Sequence, residues 1–120
     1  MDIQGLWHDI ITQNKDNLGF YFNADASILW PCTNEQFTVE EYVRTNCEYP
    51  GKWNGEIERL ENMGDKIILV GHVYSVDNTT SCHVVSFIDV AGDKIKRMEE
   101  YWADDGEAPT WRQEWHLQKI

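Results

Sequence analysis

DKIILVGHVYSV (65–76), SCHVVSFIDV (81–90) and KIKRMEEYW (94–102) follow one another, joined by the tetrad DNTT (77–80) and, after Ala91, by the dipeptide GD (92–93). The three runs are rich in Val, Ile, Phe and Tyr and are bounded by Gly, Asp, Asn and Thr, the composition of antiparallel strands joined by short hairpins. They predict a β-meander on which the rest of the chain must pack.

Side chains alternate faces along a strand, and a tight hairpin fixes which residues lie opposite one another. With Asp77–Thr80 as a four-residue loop, Val76 pairs with Ser81, Tyr74 with His83 and His72 with Val85. With Gly92–Asp93 as a type II′ turn, Ala91 pairs with Lys94, Phe87 with Met98, Val85 with Glu100 and His83 with Trp102. One face then carries Val70, His72, Tyr74, His83, Val85, Phe87, Met98, Glu100 and Trp102. The other carries Ile67, Leu69, Val73, Val84, Ser86, Ile88, Ile95, Arg97, Glu99 and Tyr101. The first face mixes large apolar groups with two imidazoles and a carboxylate, which suits a pocket wall. The second, with Ile67, Leu69, Val73, Val84, Ile88 and Tyr101, is too apolar for water and predicts a homodimer through it.

The 120 residues fit one domain, 1–120, able to bury roughly two-thirds of its unfolded surface without covalent staples. No run approaches the ~18 apolar residues of a membrane span, and MDIQGLWHDII lacks the basic start of a signal peptide, so no membrane association and a cytoplasmic location are expected. Cys32, Cys47 and Cys82 are odd in number and lack CxxC spacing, so free thiols are expected rather than disulfides or a zinc finger. Twenty-one acidic against ten basic residues give a net charge of −11, which repels nucleic acid. KIKR (94–97) is the one basic cluster, and strand alternation splits it between two faces. Six Trp and five Tyr suit a ligand cavity, an interface or an aromatic core.

Ahead of the meander, Ile3, Leu6, Trp7, Ile10 and Ile11 recur at helical spacing. NKDNLGFYF (14–22) reads as a second short helix, and NADASILWP (23–31) as a strand that Pro31 ends. Thr38 with Glu41 three residues later forms a capping box for a helix that Pro50–Gly51 stops. KWNGEIERLE (52–61) alternates as a strand, with Trp53, Gly55, Ile57 and Arg59 facing one way. ADDGEAP (103–109) is an acidic loop, and TWRQEWHLQKI closes the chain as a helical turn or a short strand. The order predicts an α+β domain with helices covering one face of a strongly curved, mostly antiparallel sheet, leaving a conical cavity.

FNADASILWP after two helices, FTVEEY followed by YPGKW, and FIDVAGDKIKRMEEYW followed by APTWR together resemble the SnoaL-like branch of the nuclear transport factor 2-like superfamily, across nearly the whole chain. The resemblance implies a cone-shaped, cystatin-like roll with a pocket between sheet and helices, and frequent dimerisation. The superfamily holds polyketide cyclases, ketosteroid isomerases, scytalone dehydratases, epoxide hydrolases and non-enzymatic binders, so the fold leaves the activity open. The isomerases' general base falls at Trp30, their oxyanion tyrosine near Leu6 or Trp7, and the partner acid near Val85 or Ser86. Those groups cannot supply enolising chemistry, so steroid isomerase activity is not expected. The dehydratases use pocket histidines with tyrosines, residue types that His72, His83 and Tyr74 supply.

His83 and Glu100 are therefore the candidate acid–base pair, with Trp30, Trp53, His72, Tyr74, Val85, Met98 and Trp102 as candidate ligand-binding residues. His83 is read either as a general acid or base or as a wall histidine bonded to Tyr74. His72, His83 and Glu100 would form a two-histidine, one-carboxylate metal set, but the histidines are expected to lie diagonally across the strands, and neither metal nor other cofactor is predicted. Two functions stay open: a cyclase, dehydratase or isomerase acting on a small hydrophobic, oxygenated molecule, or a non-catalytic ligand-binding or protein-interaction domain of the same shape.

Overall fold

A computed structural model describes residues 1–120. Helix α1 (Ile3–Ile11) is capped by Asp2, whose carboxylate accepts the Gly5 N–H at 2.9 Å, and it buries Ile3, Leu6, Trp7 and Ile10. Only Leu18–Tyr21 of the expected second helix coils, as a 3₁₀ turn. Side chains fasten this segment instead: the buried Asp9 carboxylate accepts from Asn14 at 3.0 Å, Asn17 at 2.6 Å and the Tyr21 hydroxyl at 2.7 Å. Burial pushes the Asp9 pKa up, but the three bonds outweigh it and hold the carboxyl below its ordinary range. Burial and the Asp9 charge push Tyr21 up to about 12.

Strand β1 (Phe22–Trp30) ends at Pro31, as expected, and a 3₁₀ turn (Pro31–Thr33) leads into a short β2 (Glu35–Phe37) that the sequence did not announce. Helix α2 (Val39–Glu48) begins with the expected capping box: the Glu41 N–H donates to Thr38 Oγ1 at 3.2 Å, and the Thr38 N–H donates to Glu41 Oε1 at 2.9 Å. Four strands follow: β3 (Trp53–Asn62), β4 (Lys66–Ser75), β5 (Ser81–Ala91) and β6 (Lys94–Asp104). A last turn, α3 (Thr110–Gln113), lies exposed. The sheet runs β2-β1-β6-β5-β4-β3, antiparallel throughout except for the β1–β6 pair. This is the α+β roll expected, with α1 packed over β3 and α2 over β1.

Both hairpins depart from the expected register, with different consequences. In β4–β5, Tyr74 lies opposite Ser81 and His72 opposite His83, a slip of two residues that leaves every side chain on its expected face. The loop is longer because Ser75 Oγ accepts the N–H groups of both Thr79 and Thr80 at 3.0 Å and gathers the turn around itself. In β5–β6, Ala91 does pair with Lys94 across a turn with Gly92 at φ +64°. A bulge then follows: Val90 opposes Ile95 and Asp89 opposes Arg97, so Lys96 is an inserted residue. Beyond it Ile88 pairs with Met98, Ser86 with Glu100 and Val84 with Trp102.

The bulge transfers Met98, Glu100 and Trp102 to the face of Ile67, Leu69, Val73, Val84, Ser86 and Ile88. Arg97, Glu99 and Tyr101 move to the face of His72, Tyr74, His83 and Val85. The homodimer surface expected from the sequence is corrected accordingly: Ile67, Leu69, Val73, Val84 and Ile88 are buried beneath the helices, and of that list only Tyr101 faces outward. A second bulge, in β3, places Ile57 opposite Gly71 and Arg59 opposite Val70, so Arg59 does not share the face of Trp53, Gly55 and Ile57.

The Trp7 indole sits over Gly55 and Gly71 with its six-membered ring so close that a Cβ built on Gly71 would clash with Cη2. The sheet can accept this ring because two facing positions lack side chains. Gly71→Ala is expected to lower stability by about 1–3 kcal/mol through overpacking. Gly106→Ala, which meets nothing within 4 Å, should be near neutral. Equal urea midpoints for the two variants would contradict this packing.

Candidate functional site

The inner face of the sheet and the C-terminal ends of α1 and α2 enclose a cavity of about 430 Å³. Ile10 and Ile11 come from α1, Thr45 and Asn46 from α2, and Trp30, Trp53, Val73, Cys82, Glu100 and Trp102 from the sheet. Cross-ties hold the helix ends in place at this point. Gln13 donates to the carbonyls of Asn46 at 3.1 Å and Tyr49 at 2.8 Å, while Asn46 donates to that of Ile10 at 3.1 Å.

Glu100 is the buried ionisable group of the cavity, 3% exposed. Ser86, its neighbour across the β5–β6 ladder, donates to Oε2 at 2.5 Å, and the Trp30 indole N–H donates to Oε1 at 3.1 Å. Edge-on packing against Phe37, Tyr42 and Trp102 locks the Trp30 ring, which fixes the aim of that N–H. Burial raises the Glu100 pKa, and the Ser86 and Trp30 bonds, which favour the charged form, only partly offset it. The nearby Trp102 indole N–H acts in the same direction by proximity, yet the atom is buried without hydrogen-bond geometry to any acceptor. The cavity wall thus holds two polar features in an apolar setting: an acid biased toward its protonated form and, beside it, an indole N–H that is sealed from the open space and has no partner. Glu35 and Asp104 add exposed carboxylates at the edge, and no Lys, Arg or His lines the space.

Of the residues expected to line a pocket, Trp30, Trp53, Glu100 and Trp102 are brought together here. The rest are corrected. Met98 is sealed in the core at 0% exposure, and His72, Tyr74, His83 and Val85 stand on the opposite face of the sheet. His83 and Glu100 therefore form no acid–base pair. The inserted Lys96 separates them, since an odd shift in register moves one partner through the sheet. His83 instead meets Asp105, whose Oδ1 lies 2.5 Å from Nδ1, and Glu58, whose Oε1 lies 3.2 Å from Nε2. The Asp105 bond, aided by the two carboxylate charges, raises the His83 pKa above its ordinary value against a modest burial penalty. Tyr74 donates to Glu56 at 2.6 Å rather than to a histidine.

Sequence reasoning missed the helical contribution of Ile10, Ile11 and Asn46, and it missed Ser86 as the partner of Glu100. A signal for the bulge was present in IKRM. Ile95 and Met98 are three residues apart and both wholly buried, which alternation cannot satisfy without an inserted residue.

No family model matches the chain, and a search of curated proteins gives no match. Solved structures do match over nearly its whole length. A candidate ketosteroid isomerase from Kribbella flavida superposes with a TM-score of 0.80 at 21% identity, covering 98% of this chain and 86% of its own. An NTF-2 like protein of unknown function from Burkholderia xenovorans gives 0.79 at 22%, covering 98% and 91%. A hypothetical protein from Catenulispora acidiphila with a ketosteroid isomerase-like fold, solved in complex with trimethylamine, gives 0.69 at 16%, covering 83% and 84%. The backbone path, the helix-covered sheet and these superpositions together establish that the chain has the nuclear transport factor 2-like fold.

Proposed function

We propose that the chain binds a small, predominantly apolar, oxygenated molecule in the cavity beneath α1 and α2, and that Glu100 exchanges a proton with it. The observation that carries this reading is the pairing of a buried carboxyl with the unpartnered Trp102 N–H in the wall of one cavity. A ligand carbonyl or hydroxyl oxygen can engage the acid, and a turn of the Trp102 ring would bring its unsatisfied donor to the same oxygen. Trp30 and Trp53 supply apolar wall. The reaction classes that fit are those needing one positioned acid–base group on a hydrophobic substrate: cyclisation, dehydration or isomerisation. Without turnover, the same contacts serve a binding protein.

A second reading has its own support. The three carboxylates among the lining residues have no Lys, Arg or His beside them in that lining, and Trp30, Trp53 and Trp102 make the wall aromatic, so an alkylammonium ion would also be held. The trimethylamine bound to the Catenulispora acidiphila protein belongs to the same class of ligand. The two readings differ in pH dependence. A neutral ketone needs protonated Glu100, so its affinity falls as pH rises through the Glu100 pKa. An ammonium ion needs the carboxylate, so its affinity rises.

Tryptophan fluorescence titrations with aromatic ketones and with trimethylammonium across pH 4–8 separate the readings, and a ligand that binds wild type but not Glu100→Gln locates the site. For any substrate that is turned over, Glu100→Gln should reduce kcat by roughly a hundredfold or more. A ligand whose affinity ignores both pH and this substitution would place binding elsewhere.

Stability gives an independent check. A carboxyl whose folded pKa is raised contributes stability that is fully present below its unfolded pKa and is lost as pH rises through the folded one. Gln cannot titrate, so the stability of Glu100→Gln relative to wild type should increase from pH 4 to pH 7. A constant difference would show that Glu100 is not held away from its ionised form.

A further inference from the structure

We propose that Glu58, His72 and His83 form a binding site for a divalent transition-metal ion, with Zn(II) the best-fitting member, on the face of the sheet turned away from the cavity. The two histidines are not diagonal, as expected from the sequence, but directly opposite one another on β4 and β5, with ring centroids 4.7 Å apart and planes 12° from parallel. Glu58 reaches them from the β3 bulge, where two residues occupy the space of one. The ligand atoms of the three side chains lie within 4.8 Å of one another.

Hydrogen bonding settles which nitrogens are free to bind. His83 Nδ1 donates to Asp105, which leaves Nε2 aimed at Glu58 Oε1, 3.2 Å away. Two atoms presenting lone pairs at that distance need a positive charge between them, which a proton or a metal ion can supply. Metal–ligand bonds of about 2.0–2.1 Å to each would subtend roughly 100° at the ion, close to the tetrahedral angle. Asp105 already occupies the place of the outer carboxylate that orients a zinc-binding imidazole. The Ser81 hydroxyl gives its single proton to Asp105 Oδ2 at 2.5 Å, so at 2.8 Å it accepts from His72 Nε2. His72 Nδ1, with Glu56 Oε2 3.7 Å away, then makes no hydrogen bond and is the nitrogen open to a metal. Because the rings are stacked, His72 joins the ion by turning about its Cβ–Cγ bond. Side-chain exposures of 30% for His72, 40% for His83 and 46% for Glu58 leave room for that turn and for entry of the ion. Imidazole with carboxylate suits zinc and its late first-row neighbours and does not suit magnesium.

The test titrates chelator-stripped protein with zinc chloride, and separately with magnesium chloride, following heat and melting temperature. Wild type should bind one zinc per chain with a rise in melting temperature and show no saturable magnesium binding. His72→Ala, His83→Ala and Glu58→Gln should each weaken zinc binding at least tenfold, and Asp105→Asn, acting through the orientation of His83, by a smaller factor. His8→Asn and His116→Asn should leave it unchanged. All four of the weakening substitutions lie at the surface, so unaltered circular dichroism can confirm folding of each variant. Absence of saturable zinc binding, or an affinity unchanged by substitution of any one of the three ligands, overturns the proposal.

Discussion

Ile95 and Met98 must both be buried, and a strand turns alternate residues to opposite faces. Inserting Lys96 meets the two demands together. Lys94, Lys96 and Arg97 stay clear of the core while the apolar pair points inward, whereas an unbroken ladder would turn the Arg97–Glu99 ion pair beneath the helices and strip both charges of water. Everything downstream in β6 takes its orientation from that one residue. Trp102 and Glu100 reach the cavity because of it, and Tyr101 and Glu99 reach the surface.

The same rotation separates two kinds of electrostatic environment on the two sides of one sheet. Inside, the Glu100 carboxyl has lost water and gained only neutral donors, so its charge is disfavoured. Outside, Asp105 and Glu58 keep partial contact with solvent and face His83, so that imidazole is drawn toward positive charge. The net charge of −11 sets both arrangements in an overall negative field.

The cavity depends equally on what the helices leave unfilled. Trp7 occupies the gap above Gly55 and Gly71, while the bonds of Gln13 and Asn46 to the carbonyls of Asn46, Tyr49 and Ile10 tie the two helix ends that line the cavity. The packed Trp30 ring and the Ser86 hydroxyl hold the Glu100 carboxyl in one position, the preorganisation on which the proposed proton exchange would depend.

By itself the sequence determined the α+β class, the run of strands from β3 to β6, the capping box at Thr38 and Glu41, and the strand stop at Pro31. These follow from local propensities and from the mean hydrophobic pattern, which do not depend on distant contacts. Only the tertiary structure decided the faces of β6, the separation of His83 from Glu100, the approach of Glu58 to the histidines and the role of Ser86. The physical reason is that a bulge costs little locally and is selected by what the helices bury on the far side of the sheet, and one added residue exchanges the two faces of every position after it.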